Sequence, residues 1–114
     1  MKDFLKVMKA LSDPNRVKIV KMLALKEMCV CELTSALNLA QPTVSSHLKV
    51  LEEAGLARSR KDGLWVNYQL AEPAGNPYAG ALLAGLKDWL NQDPDIAPLC
   101  QRLPEIRREE ICKK

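Results

Sequence analysis

The sequence predicts a mainly α-helical domain with one small β-hairpin, in the order ααααββα, followed by a short C-terminal tail. Three observations carry that expectation. Apolar residues recur at helical spacing from Phe4 to Leu51, the period changes to that of extended chain after Leu56, and a strongly apolar helical stretch returns from Leu82 to Leu90. Residues 1–92 are read as one domain, and residues 93–114 as the tail.

Each element has its own signal. Phe4, Leu5, Met8 and Leu11 mark a short first helix. Asp13-Pro14 is an N-cap followed by proline at the first helical position, and it opens a second helix carrying Val17, Ile19, Val20, Met22 and Leu23 to about Leu25. A third helix carries Leu33, Ala36 and Leu37, and Asn38-Leu39-Ala40 is a tight connection. Pro42 opens a fourth helix that runs through Glu53 and is closed by Gly55. Residues 57–60 and 64–70 then form strands around an Asp62-Gly63 turn. EPAGNP is a loop, and Leu82, Leu83, Leu86, Trp89 and Leu90 build the fifth helix. In the tail, Ile96, Leu99, Cys100 and Leu103 follow one helix face.

At 114 residues the chain is long enough for one compact domain with a modest core. Aromatics are only 4% of the residues, so aliphatic side chains must fill that core, and pairing with a second copy would complete its burial. A net charge of +3 permits nucleic-acid binding without requiring it, so the position of the positive charge decides. The N-terminus lacks the apolar core and cleavage site of a signal peptide, and no apolar run approaches the roughly 18 residues of a membrane span. A cytoplasmic protein without membrane contact is expected, with its cysteines reduced.

Two helices joined by three or four residues and followed by a hairpin describe a winged helix-turn-helix. At about 100° per residue, Val44, Leu48 and Leu51 fall on one stripe of the fourth helix. The other side offers Gln41, Thr43, Ser45, Ser46 and Lys49, polar groups able to reach base edges and phosphates. Such a face can also be merely solvated. The hairpin favours DNA, because Arg58, Arg60 and Lys61 crowd one side of its turn as a wing along phosphates requires. His47, the only histidine, lies on the flank of the buried stripe and is a packing or phosphate contact.

LSDPNRVKIVKML, CVCELTSALNLAQPTVSSHLKVLEEAGL and RKDGLWVNYQL resemble the ArsR/SmtB family of metalloregulatory repressors over about residues 5–90. The resemblance implies a homodimer, joined through the first and last helices, that binds a two-fold symmetric operator in double-stranded DNA. Ala40 stands where many relatives carry a serine able to cap the recognition helix.

Two of the four cysteines lie in MCVCEL. A disulfide across Cys-x-Cys would close a short, strained ring, whereas paired soft thiolates suit thiophilic ions. A place near a helix N-terminus should favour the thiolates. If both residues are helical they do not share a face, so gripping one ion would require the first turn of the third helix to unwind. The plain alternative makes both cysteines small buried hydrophobes. In the family, Cys-Val-Cys-Glu-Leu resembles the arsenite- and antimonite-sensing site and a cadmium/lead-sensing variant, which assigns Cys29 and Cys31 as ligands. Position 34, which supplies a third cysteine in many arsenite sensors, is Thr34. Cys100 and Cys112 are alternative third ligands, from the same subunit or its partner.

With one histidine, the chain cannot build the imidazole-rich sites of zinc, cobalt or nickel sensors, and no cysteine precedes Cys29 to complete a cadmium/lead site. As(III) or Sb(III) is therefore the expected inducer, and no resident cofactor is required. A redox switch through reversible disulfides is the second reading. A thiol enzyme is not expected, since neither Cys-x-x-Cys nor a base, nucleophile and orienting group is present.

Overall fold

The computed structural model describes residues 1–71 and 76–106. Cys112 lies outside the described residues. The chain folds as α1 (Lys2–Ala10), α2 (Pro14–Leu23), β1 (Met28–Cys29), α3 (Val30–Leu37), α4 (Gln41–Glu53), β2 (Ala57–Asp62), β3 (Trp65–Leu70), α5 (Pro77–Leu86) and α6 (Ala97–Arg102), with a 3-10 turn at Leu103–Glu105.

Local chemistry sets several boundaries. Asp13 caps α2 by accepting the N–H groups of Asn15 and Arg16 at 2.8 and 3.2 Å. Partial burial pushes the Asp13 carboxyl up, but those two N–H donors and the charges of His47 and Arg16 outweigh it and hold it below its ordinary value. Asn38, in the left-handed region at φ 55°, closes α3 and turns the chain into α4. Ala40 caps α4 without any side-chain hydrogen bond, as an alanine there must.

The sheet has three antiparallel strands in the order β1-β3-β2, one more than the sequence suggested. The extra strand, Met28–Cys29, is too short to show an alternating pattern, and it lies against Tyr68 and Asn67 of β3. The hairpin turn is also shifted by one residue. Asp62 pairs with Trp65, so Gly63 and Leu64 form the loop, with φ +61° at Gly63 as a type II′ turn requires. Leu64 thus leaves the strand and is 74% exposed at the wing tip.

The fifth helix stops at Leu86, short of the expected Trp89 and Leu90. Lys21, 4% exposed in α2, donates its ammonium to the carbonyls of Leu86 and Trp89, both at 2.6 Å, and to Asn91 Oδ1. A buried charge needs such partners, and these carbonyls are free to accept only because the helix has ended. The Trp89 ring folds back onto Gly85, where it leaves no room for a Cβ.

Val7, Ile19, Val20, Met22, Leu33, Val44, Leu48, Leu51 and Leu56 form the centre of one core. Leu99, Leu103 and Ile106 bury into the same core, so the described part of the tail packs on the helices before it. Among the described residues no helix is long and apolar enough to cross a membrane.

Two substitutions test the capping chemistry. Asp13→Ala should cost about 1 kcal/mol in urea melts at pH 7. Because the folded carboxyl titrates below its unfolded range, the parent's advantage is present above about pH 4 and disappears as pH falls through the folded value. Ala40→Ser should stabilise by about 1 kcal/mol, read as a higher urea midpoint at unchanged m-value.

Candidate thiol site and nucleic-acid interface

The exposed side of α4 carries the residues singled out in the sequence. Gln41, Thr43, Ser45, Ser46 and Lys49 are all exposed, while Val44, Leu48 and Leu51 are buried beneath them. His47 is half-buried and engaged elsewhere, with its Nδ1 3.3 Å from Arg16 Nη1. Arg16 also donates through Nε to the Ala10 carbonyl at 2.7 Å, so the histidine joins the recognition helix to the corner between α1 and α2.

The three wing cations differ in their surroundings. Arg58 lies opposite Gln69, whose amide oxygen, turned toward the guanidinium, accepts from Nε and Nη2 at 2.8 and 3.0 Å. Arg60 donates through Nε and Nη2 to Glu27 Oε1 at 2.9 and 2.7 Å. Lys61 is exposed. Glu27 is a residue that sequence reasoning passed over. Its partner is thirty-three positions away, and only the third strand brings them together.

The two thiols stand on either side of a structural boundary. Cys29 is the last residue of β1 and also the N-cap of α3, with extended backbone at φ −87° and ψ 169°. Cys31 lies in the first turn of α3 and is half-buried. They are therefore not both helical, and no intact helical turn fixes them on opposite faces. What fixes Cys29 is a reciprocal cap: Glu32 accepts the Cys29 N–H at 3.0 Å, and the Glu32 N–H points at the Cys29 sulfur.

This corrects the expectation of an activated thiolate at Cys29. The residue is only 2% exposed, and burial pushes its thiol above the ordinary range. The Glu32 N–H pulls the other way, but the Glu32 carboxylate raises the value again. Burial and a nearby negative charge thus outweigh the helix N-terminus.

Thr34 spends its hydroxyl on the Cys31 carbonyl at 2.8 Å. Cys100 lines a separate cavity of about 490 Å³ beside Lys21, Lys87 and Asn91. Burial pushes its thiol up, against the pull of the Lys21 ammonium. Among the described residues no three His, Cys, Asp or Glu side chains converge on a ready metal site, so Cys100 does not join Cys29 and Cys31 within one subunit. The end of the described tail does approach them. Lys26 donates to the carbonyls of Leu103 and Ile106 at 3.2 and 3.0 Å, and its ammonium lies 3.9 Å from Glu32 Oε2.

Comparison with known proteins matches this arrangement. Residues 13–59 match the family described as bacterial regulatory protein, arsR family. The arsenic resistance transcriptional regulator ArsR1 of Pseudomonas putida is 42% identical over 92 residues, covering 76% of this chain and 71% of that protein. The arsenical resistance operon repressor of Escherichia coli is 46% identical over 68 residues, covering 60% of this chain and 58% of that one. Among solved structures, the homodimeric winged helix-turn-helix DNA-binding domain Mb0332 of Mycobacterium bovis aligns with a TM-score of 0.67 and 25% identity, covering 82% of each chain. With its recognition helix, its wing and its 71% coverage of a close relative, the chain belongs to the arsR family of bacterial regulators, DNA-binding transcriptional regulators rather than enzymes.

Proposed function

We propose that the protein is a cytoplasmic, homodimeric repressor of an arsenic-resistance operon, released from its operator when As(III) or Sb(III) binds Cys29 and Cys31. The observation that carries this reading is the double duty of Cys29. Its backbone and sulfur close the N-terminal cap of α3, the helix that leads directly into recognition helix α4. An ion that takes the sulfur removes a cap contact, so ligand and DNA-competent fold compete. A coupling of roughly 1–3 kcal/mol would lower operator affinity 5- to 150-fold.

The raised Cys29 thiol does not oppose the exchange. With arsenous acid, each S–As bond that forms breaks one As–O bond, and the thiol proton leaves with the hydroxide as water. Two thiols therefore release two waters with no net proton uptake and no change in arsenic oxidation state. The same burial disfavours the redox reading, since thiol sensors rely on exposed, low-pKa cysteines. Cadmium and lead, which need several deprotonated thiolates, fit the two-cysteine cluster less well.

The third sulfur is best supplied by Cys112. Lys26 fixes the chain at Ile106 beside the Glu32 cap, and the six residues from there to Cys112 can reach about 20 Å. Cys100, across α2 beside Lys21, serves only if it comes from the partner subunit.

In the DNA complex, Gln41, Thr43, Ser45 and Ser46 would face the major groove. Lys49, Arg58, Arg60 and Lys61 would meet phosphates, and His47 would brace α4 through Arg16.

Three experiments test these assignments. Cys29→Ser, which keeps a capping side chain, and Cys31→Ser should bind operator normally yet lose release by arsenite; a variant that still releases DNA refutes the ligand assignment. Lys49→Ala and Lys61→Ala should each lower the slope of log affinity against log salt by about one. Under reductant, iodoacetamide should modify Cys31 well before Cys29, as peptide mass mapping would reveal.

A further inference from the structure

The sheet connects the thiol site to the wing by a route that does not pass through α4. Cys29 lies opposite Asn67 in β3, and Asn67 lies opposite Arg60 in β2. Directly opposed residues point to the same face of a sheet, so Cys29, Asn67 and Arg60 form one row across three strands. Asn67 is 7% exposed in the middle of that row. From its far end the Arg60 side chain turns back to Glu27, two residues before Cys29.

We propose that the Glu27–Arg60 ion pair is the positioning contact through which occupancy of Cys29 reaches the DNA-binding wing. The inference rests on the thiol-site reading above and names how that site is coupled to DNA. The physical argument has three parts. β1 is only two residues long, so displacing Cys29 displaces half the strand. The pair uses Arg60 Nε and Nη2, which leaves Nη1 out of the pair for a phosphate and holds the planar guanidinium in one orientation. The side chains of Arg60 and Glu27 are 53% and 29% exposed, so the pair adds little to stability and can be broken without unfolding the wing. When Cys29 is drawn onto an ion, Glu27 moves with the strand and Arg60 loses the contact that orients it.

Glu27→Gln is nearly isosteric at a partly exposed position and should fold as the parent does. The first measurement is the ratio of operator affinity without and with arsenite, alongside direct titration of arsenite by thiolate absorbance. Glu27→Gln should bind arsenite like the parent and show a ratio about two- to fivefold smaller, the range an exposed ion pair supports. Glu27→Gln combined with Arg60→Gln should change the ratio no more than either alone. The second measurement uses no metalloid. If DNA favours the conformation that holds Cys29 in its cap, operator DNA should slow alkylation of Cys29, and Glu27→Gln should weaken that protection, with Cys100 as the unaffected internal control. An unchanged ratio or unchanged protection in Glu27→Gln overturns the inference, as does a parent whose Cys29 is not protected by DNA. A parent that ignores arsenite, yet has Glu27-dependent protection of Cys29, overturns the inducer assignment and leaves the coupling standing.

Discussion

The way α3 begins constrains everything around it. A helix N-terminus leaves backbone N–H groups without partners, and here Cys29 and Glu32 satisfy two of them for each other. Serine or threonine would make a stronger cap, because a sulfur is a weak acceptor. Cysteine gives up part of that strength and puts a soft donor at the one point where strand, helix and sheet edge meet. The same residue pairs with Asn67, caps α3 and sits buried in the core, so nothing can take its sulfur without disturbing all three.

α4 is poorly placed to resist such a disturbance. Its N-cap is an alanine with no side-chain bond, and its position depends on packing Val44, Leu48 and Leu51 into the shared core. The Arg16–His47 contact adds one polar tie to the preceding helices. A recognition helix held by packing follows its neighbours. The wing is tied to the same origin by the short strand β1.

Much of this was readable from the sequence because it follows from local rules. Asp13-Pro14 fixed the start of α2, and the apolar stripe of α4 sorted its buried side from its polar side without knowledge of any partner. What escaped was set by distant partners. β1 is too short for periodicity, and its existence depends on Tyr68 and Asn67 nearly forty positions on. The early end of α5 is accompanied by Lys21, sixty-five positions earlier, donating to the carbonyls of Leu86 and Trp89, a pairing that no local pattern announces. The two neighbouring thiols were visible in the sequence, but the acidity of Cys29 was misjudged. Proximity to a helix N-terminus is visible in a sequence, whereas 2% exposure and a facing carboxylate are not.

Lys26 recognises the tail through main-chain carbonyls at Leu103 and Ile106, and backbone oxygens are blind to side-chain identity. Substitutions among the exposed tail residues before Ile106 can therefore accumulate without loosening this hold. Sequence drift in this segment would change the side chains it displays while preserving its anchorage, a way for one scaffold to vary a surface at a fixed location.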